Sequence, residues 1–105
     1  MTNILENKNC LITGATGGLG SHLAKILLEH NCNIFLTSKS KLKLQQLQNK
    51  LEKTNKNNCK IIYEYGDLTK ISDIKKIIKN IRKNFKTIDV LINNAGLFLA
   101  KPISK

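Results

Sequence analysis

Tryptophan is absent from this 105-residue chain, proline occurs once, and only five aromatic side chains are present. So thin an aromatic supply argues against a base-stacking surface for single-stranded nucleic acid. The lysines are scattered among Asn, Gln and Ile rather than interleaved with rings, so nucleic acid is not an expected partner. The sole proline is Pro102, and no Pro/Gly-rich linker divides the chain. Its length suffices for one compact core and not for two. Residues 1–105 read as one domain. No apolar run approaches the roughly 20 residues needed to cross a bilayer, so no membrane span is expected. Met1 to Asn9 is polar and carries Glu6. It has neither the basic nor the apolar region of a secretory signal, which makes the cytoplasm the expected compartment.

Acidic residues are also scarce, 7 against 18 Lys+Arg, for a net charge of +11. Such an excess attracts polyanions, nucleotides or acidic proteins without choosing among them. The three cysteines, Cys10, Cys32 and Cys59, are far apart in sequence and form no CxxC or Cys/His spacing. No metal is therefore expected, and each reads as a small apolar filler.

What the chain does contain is rhythm. Cys10 to Ile12, Ile34 to Leu36, Ile61 to Tyr63 and Ile88 to Ile92 are short apolar runs bounded by polar or glycine residues. That is the pattern of buried strands. Between them apolar residues recur every three to four positions, as on helices with one face against a sheet. The first helix puts Leu19, Leu23, Ile26 and Leu27 on one stripe and ends near His30 and Asn31. The second carries Leu44, Leu47 and Leu51 behind Ser40 as N-cap, and the third carries Ile71, Ile74, Ile77, Ile78, Ile81 and Phe85 behind Thr69. Strands alternating with helices need right-handed crossovers, which gives an α/β fold with a parallel sheet covered on both faces. This is the Rossmann-type doubly wound class, with about four strands and three helices.

Directly after the first strand stands Thr13-Gly14-Ala15-Thr16-Gly17-Gly18-Leu19-Gly20, then the first helix. Backbone amides at a helix start, free of side-chain bulk, can approach a diphosphate and meet it with the positive end of the helix dipole. Gly14 suits the tight turn, Gly18 the close approach of phosphate, and Gly20 the packing of helix on strand. The residues expected to line the diphosphate are Gly14, Thr16, Gly17, Gly18, Leu19 and Gly20. No lysine follows Gly20, where Ser21 and His22 stand instead. The phosphate loop of nucleoside triphosphatases is thereby excluded. The second strand ends Leu36-Thr37-Ser38-Lys39-Ser40. It lacks the acid that grips the ribose hydroxyls of NAD. Ser38 can donate to a 2′-phosphate and Lys39, backed by Lys41 and Lys43, supplies charge, so NADP(H) is expected over NAD(H).

These residues resemble the short-chain dehydrogenase/reductase family. Its glycine signature TGxxxGxG is matched by Thr13, Gly14, Gly18 and Gly20, while Gly17 also allows the TGxxGxxG spelling of an extended branch. Asn93-Asn94-Ala95-Gly96 after the fourth strand and Asp67-Leu68-Thr69 after the third favour the single-domain branch. The resemblance implies nucleotide contacts at Asn94, Ala95 and Gly96, and at Asp67 and Leu68 beside the adenine. It further implies an oxidoreductase acting on a carbonyl or secondary alcohol, through a YxxxK pair aided by Ser and Asn. Tyr63 and Tyr65 are the only tyrosines and are followed four places on by Asp67 and Thr69. No catalytic residue is therefore expected within 1–105, and the family's Ser, Tyr and Lys are expected beyond Lys105.

The chain thus resembles roughly the first half of a family member, as a truncated product or fragment would, and is expected to be inactive alone. The family's substrate loop and its usual oligomer interface lie in the remainder, so a homo-oligomer is expected of the full-length form. Within the family the spelling TGATGGLG is most similar to 3-oxoacyl-carrier-protein reductases, which implies a small-molecule or acyl-carrier-bound carbonyl substrate. A non-catalytic dinucleotide sensor or scaffold is the alternative. Whichever holds, the fourth strand is expected at a sheet edge, with apolar surface and unpaired backbone groups beside it.

Overall fold

The computed structural model describes residues 4–94. In chain order it runs β1 (Asn9–Thr13), α1 (Gly18–Glu29), β2 (Asn33–Ser38), α2 (Lys41–Glu52), β3 (Ile61–Tyr65), α3 (Ile71–Asn84) and β4 (Val90–Asn93). The four strands form one sheet in the order β3-β2-β1-β4, every pair parallel. The expected α/β architecture is present, and no helix among the described residues is long and apolar enough to cross a membrane.

Alternation along the strands divides the core into two layers. Cys10, Ile12, Ile34, Leu36 and Ile61 face α1 and α2 and pack with Ala24, Leu27, Leu28, Leu44 and Leu51. The other face presents Leu11, Phe35 and Ile62 to Ile77 and Ile81 of α3 and to Phe85, whose ring meets Phe35 edge-on at 6.2 Å. Each fully buried Leu, Ile or Phe among them contributes about 1.5–3 kcal/mol. Among the described residues β4 lies at the sheet edge, and its Leu91 is 61% exposed.

Helix α1 departs from its expected stripe. Its buried residues are Gly20, Ala24, Leu27 and Leu28, whereas Leu19 is 53% exposed. The small pair Gly20 and Ala24 lets the first turns approach the strand closely, and that rotation turns Leu19 outward. The helix ends as expected near His30. Asn31 takes φ 66°, and the Asn31 and Cys32 amides donate to the Leu28 and Leu27 carbonyls. Those bonds close the last turn. Ser40 caps α2 as expected, its Oγ accepting from the Lys43 amide at 3.2 Å.

The N-cap position of α3 is Lys70, with no side-chain cap, and not Thr69. Thr69 is drawn instead to Asp67, as described below. On α3, Ile71 is largely exposed. A helix presents only a limited stripe to the sheet, and the apolar sector here is wider than that. The fourth strand also begins at Val90, two residues after its expected start at Ile88.

The cysteines are not isolated in space. All three lie at or just before the amino ends of their strands on the α1/α2 face, where Cys10 and Cys32 are fully buried, the Cys32 thiol donating to the Leu5 carbonyl at 3.3 Å, and Cys59 packs alongside. Burial pushes the Cys10 thiol up to about 12, with Cys32 adding to the shift, and raises Cys32 and Cys59 as well. Native protein at pH 8 is expected to give slow Ellman's reaction at half-buried Cys59 first, with Cys10 and Cys32 reacting only on denaturation. Cys10 holds its proton more tightly folded than unfolded, so its contribution to stability is complete below pH 9 and is lost as pH climbs toward 12. Urea midpoints across that range test the sign.

Candidate functional site

A parallel sheet gathers the carboxyl ends of its strands on one side, and in open α/β sheets ligands bind there. Here that side collects the glycine turn after β1, Ser38 at the end of β2 with Lys39 and Ser40 after it, Gly66–Thr69 after β3 and Asn94 after β4. The strand order reverses between β1 and β4, the kind of switch point at which open α/β sheets bind their ligands.

The turn is built by its backbone. Gly14 adopts φ 60°. That left-handed conformation costs other residues about 1–2 kcal/mol. The Gly14 carbonyl accepts from the Gly17 amide at 3.2 Å and from Asn94 Nδ2 at 3.0 Å, while the buried Ala15 donates its amide to the Thr37 carbonyl at 3.1 Å. The turn is therefore fastened to β2 and to the end of β4 together. Gly17 occupies the N-cap of α1 without any side-chain cap. The amides of the first turn are thus left for another acceptor. A Cβ placed on Gly18 would meet nothing within 4 Å, and Gly17 and Gly18 are exposed. Open space in front of uncapped amides fits the diphosphate of a dinucleotide. Thr16 is half-buried on the same turn, and exposed Leu19 stands at the rim.

After β2, Ser38 is half-buried and its Oγ accepts from the Ser40 amide at 3.3 Å. The hydroxyl proton of Ser38 can then be donated elsewhere. Lys39 is exposed beyond it. After β3, Asp67 Oδ1 accepts from the Thr69 hydroxyl at 2.7 Å and the Thr69 amide at 2.9 Å. Those two bonds, with lesser help from the charges of Lys39 and Lys70, hold the Asp67 carboxyl below its ordinary range. Asp67 is thus an ionised acceptor near Lys39, and exposed Leu68 follows it.

Two features go beyond the sequence expectations. Asp73 organises the approach to Asp67, accepting the Asp67 amide at 2.8 Å, and leaves so little room that a Cβ on Gly66 would lie 3.1 Å from its own. An acid in the first turn of the third helix is the available signal. Asn93 and Asn94 also prove to be ties: Asn93 Oδ1 accepts from Thr13 Oγ1 at 2.9 Å, and buried Asn94 reaches Gly14. Ala95 and Gly96 lie outside the described residues, as does Lys105, the position past which the catalytic Ser, Tyr and Lys are expected.

The model of the short chain dehydrogenase family matches residues 8–105. The chain belongs to that family. Among relatives of this short-chain dehydrogenase chain, the short chain dehydrogenase/reductase dpfgG of Gibberella zeae is 32% identical over 93 residues, covering 89% of this chain and 33% of its own. A short chain dehydrogenase structure from Bacillus anthracis superposes with TM-score 0.75 at 28% identity, over 86% of this chain and 35% of that one. L-sorbose reductase from Gluconobacter frateurii, complexed with NADPH and L-sorbose, shares the fold with TM-score 0.79 at 22% identity, over 87% and 34% of the two chains. The chain spans about a third to two-fifths of the length of the curated relatives it matches.

Proposed function

We propose that this chain is the nucleotide-binding part of a cytoplasmic oxidoreductase that uses NADP(H) in preference to NAD(H). The observation that carries the reading is the uncapped start of α1 at Gly17, facing open space at Gly18, on the carboxyl side of a parallel sheet. Gly14, Thr16, Gly17, Gly18, Leu19 and Gly20 would border the diphosphate, and Asp67 and Leu68 the adenine. Asn94, Ala95 and Gly96 would close the inner wall of the site. The nicotinamide, when bound, supplies or accepts hydride. The chain's own residues bind and orient it, while the Ser, Tyr and Lys that handle the substrate's proton would follow Lys105 in the full-length protein.

Preference for the 2′-phosphate is supported by Ser38, whose hydroxyl can donate, and by Lys39, whose charge already reaches Asp67. An acid at either place would repel that phosphate. In the full-length protein the substrate would be a carbonyl or secondary alcohol, small or carried on an acyl carrier as 3-oxoacyl-carrier-protein reductases require, and the assembly a homo-oligomer.

Titration calorimetry tests the reading. NADPH is expected to bind the chain more tightly than NADH, and Lys39→Asp to weaken NADPH by about ten-fold or more, an energy of about 1.4 kcal/mol, while leaving NADH equal or better. Equal affinities in the native chain, unmoved by Lys39→Asp, would remove the NADP(H) preference. Absence of heat from both nucleotides would remove the dinucleotide reading altogether.

A further inference from the structure

Tyr65 closes β3 as the register partner of Ser38, and the neighbouring Gly66 amide donates to the Ser38 carbonyl at 2.9 Å. Its ring, 39% exposed, has two ammonium groups over it: Lys76 Nζ at 3.7 Å from the centroid and Lys41 Nζ at 5.7 Å. The two cations differ in what else they meet. Lys76 also lies 3.6 Å from the Glu64 carboxylate, which offsets its charge, whereas Lys41 has no ion pair among the described residues.

An aromatic face attracts a cation through its quadrupole and leaves the charge un-neutralised. A carboxylate in the same place would hold Lys41 equally well and cancel it toward any arriving anion. Lys41 is moreover the first residue of α2, so its position is bounded at one end by the helix and at the other by the ring. Its four-carbon stem would otherwise sample many rotamers, and ordering it would weigh against binding.

We propose that Tyr65 is a positioning residue for the nucleotide's 2′-phosphate, holding the Lys41 ammonium at the end of the sheet beside Ser38 and Lys39. The inference rests on the NADP(H) reading above. Tyr65 acts through Lys41 and touches none of the reacting atoms.

Calorimetry of the whole chain with 2′,5′-ADP and with 5′-AMP separates the 2′-phosphate from the rest of the nucleotide. Tyr65→Leu is expected to weaken 2′,5′-ADP about three-fold, the scale of an exposed cation–π contact, and to leave 5′-AMP unchanged. Tyr65→Phe keeps the ring face and is expected to match the native chain. In a Lys41→Ala background, Tyr65→Leu is expected to have no further effect, the non-additivity that marks action through Lys41. Should Tyr65→Leu lose its helical circular dichroism, Tyr65→Thr removes the ring while keeping strand propensity.

Equal weakening of both nucleotides, full additivity with Lys41→Ala, or a Tyr65→Phe as weak as Tyr65→Leu overturns the proposal. A native chain that does not distinguish 2′,5′-ADP from 5′-AMP overturns the NADP(H) reading and this inference with it. A native chain that does distinguish them, with the ratio unchanged in Tyr65→Leu, overturns this inference alone.

Discussion

Gly20→Ala is expected to abolish nucleotide binding and to destabilise the chain, while Gly18→Ala, two residues away, is expected to stabilise the fold and still lose the nucleotide. The opposite signs follow from what each new methyl group would meet. At Gly20 it would collide with the Gly14 carbonyl oxygen and lie 3.0 Å from Ala15 Cα and from Asn94 Nδ2. Two of these neighbours are backbone atoms that no rotamer change can move aside. Either the turn shifts or α1 lifts from the sheet, a strain of about 1–3 kcal/mol or more. The helix-propensity gain from Gly to Ala, about 1 kcal/mol, does not offset it.

At Gly18 nothing lies within 4 Å of the added methyl. The propensity gain stands alone there, and the melting temperature is expected to rise. The same methyl enters the space in front of the uncapped amides, however, and NADPH binding is expected to fall at least ten-fold. Thermal melts and NADPH titrations of both variants read the two effects separately. Native-like NADPH affinity in Gly18→Ala would show that no phosphate approaches this turn.

The second large effect is expected at Asn94. Its amide is one of two donors to the Gly14 carbonyl. Removing it in Asn94→Ala leaves that carbonyl under-satisfied beside a small void, a loss of about 1–3 kcal/mol. Asn94→Asp is expected to be worse at pH 7, since an ionised carboxylate cannot donate and sets negative charge against a carbonyl oxygen at a buried position. The introduced carboxyl would have a raised pKa in the folded state, so stability is expected to return as the pH falls and the proton restores a donor. Urea denaturation of both variants between pH 7 and pH 5 measures this. A pair of variants equally stable at both pH values would show that the amide does not bear on the turn.

Much of this architecture is legible along the chain because its signals are local. Ile34 to Leu36 is bounded by polar residues and sits inside β2, and Ser40 caps α2 by a bond spanning three residues. The glycine turn is legible for the same reason, since strand, turn and helix follow one another within Asn9–Glu29. Expectation and structure part where packing in three dimensions overrides local preference. Leu19 has the spacing of a core residue, but the close approach at Gly20 and Ala24 turns it to solvent. Thr69 has the side chain of a cap, but Asp67 engages both its hydroxyl and its amide.

Relations between distant segments leave no trace in the one-dimensional pattern. Cys10, Cys32 and Cys59 meet because parallel strands begin on the same side of a sheet, a property of the fold and not of any spacing. Asn94 reads from its neighbours as a nucleotide contact, while its bond to Gly14 spans 80 residues and depends on β4 lying next to β1. Tyr65 reads as an ordinary strand residue. Its setting, with lysines from α2 and α3 converging on the ring, exists only in the folded chain.

That long span between Asn94 and Gly14 governs the order of events during synthesis. While the ribosome has released only the first half of the described chain, β1, α1 and β2 can assemble and Gly17 can reach the Gly14 carbonyl, yet the second donor to that carbonyl, Asn94, is still to come. Contacts of such large sequence separation form late, after the intervening loop entropy has been overcome. A nascent chain is therefore expected to display its glycine turn before Asn94 fastens it, so that among the described residues the turn becomes rigid only late.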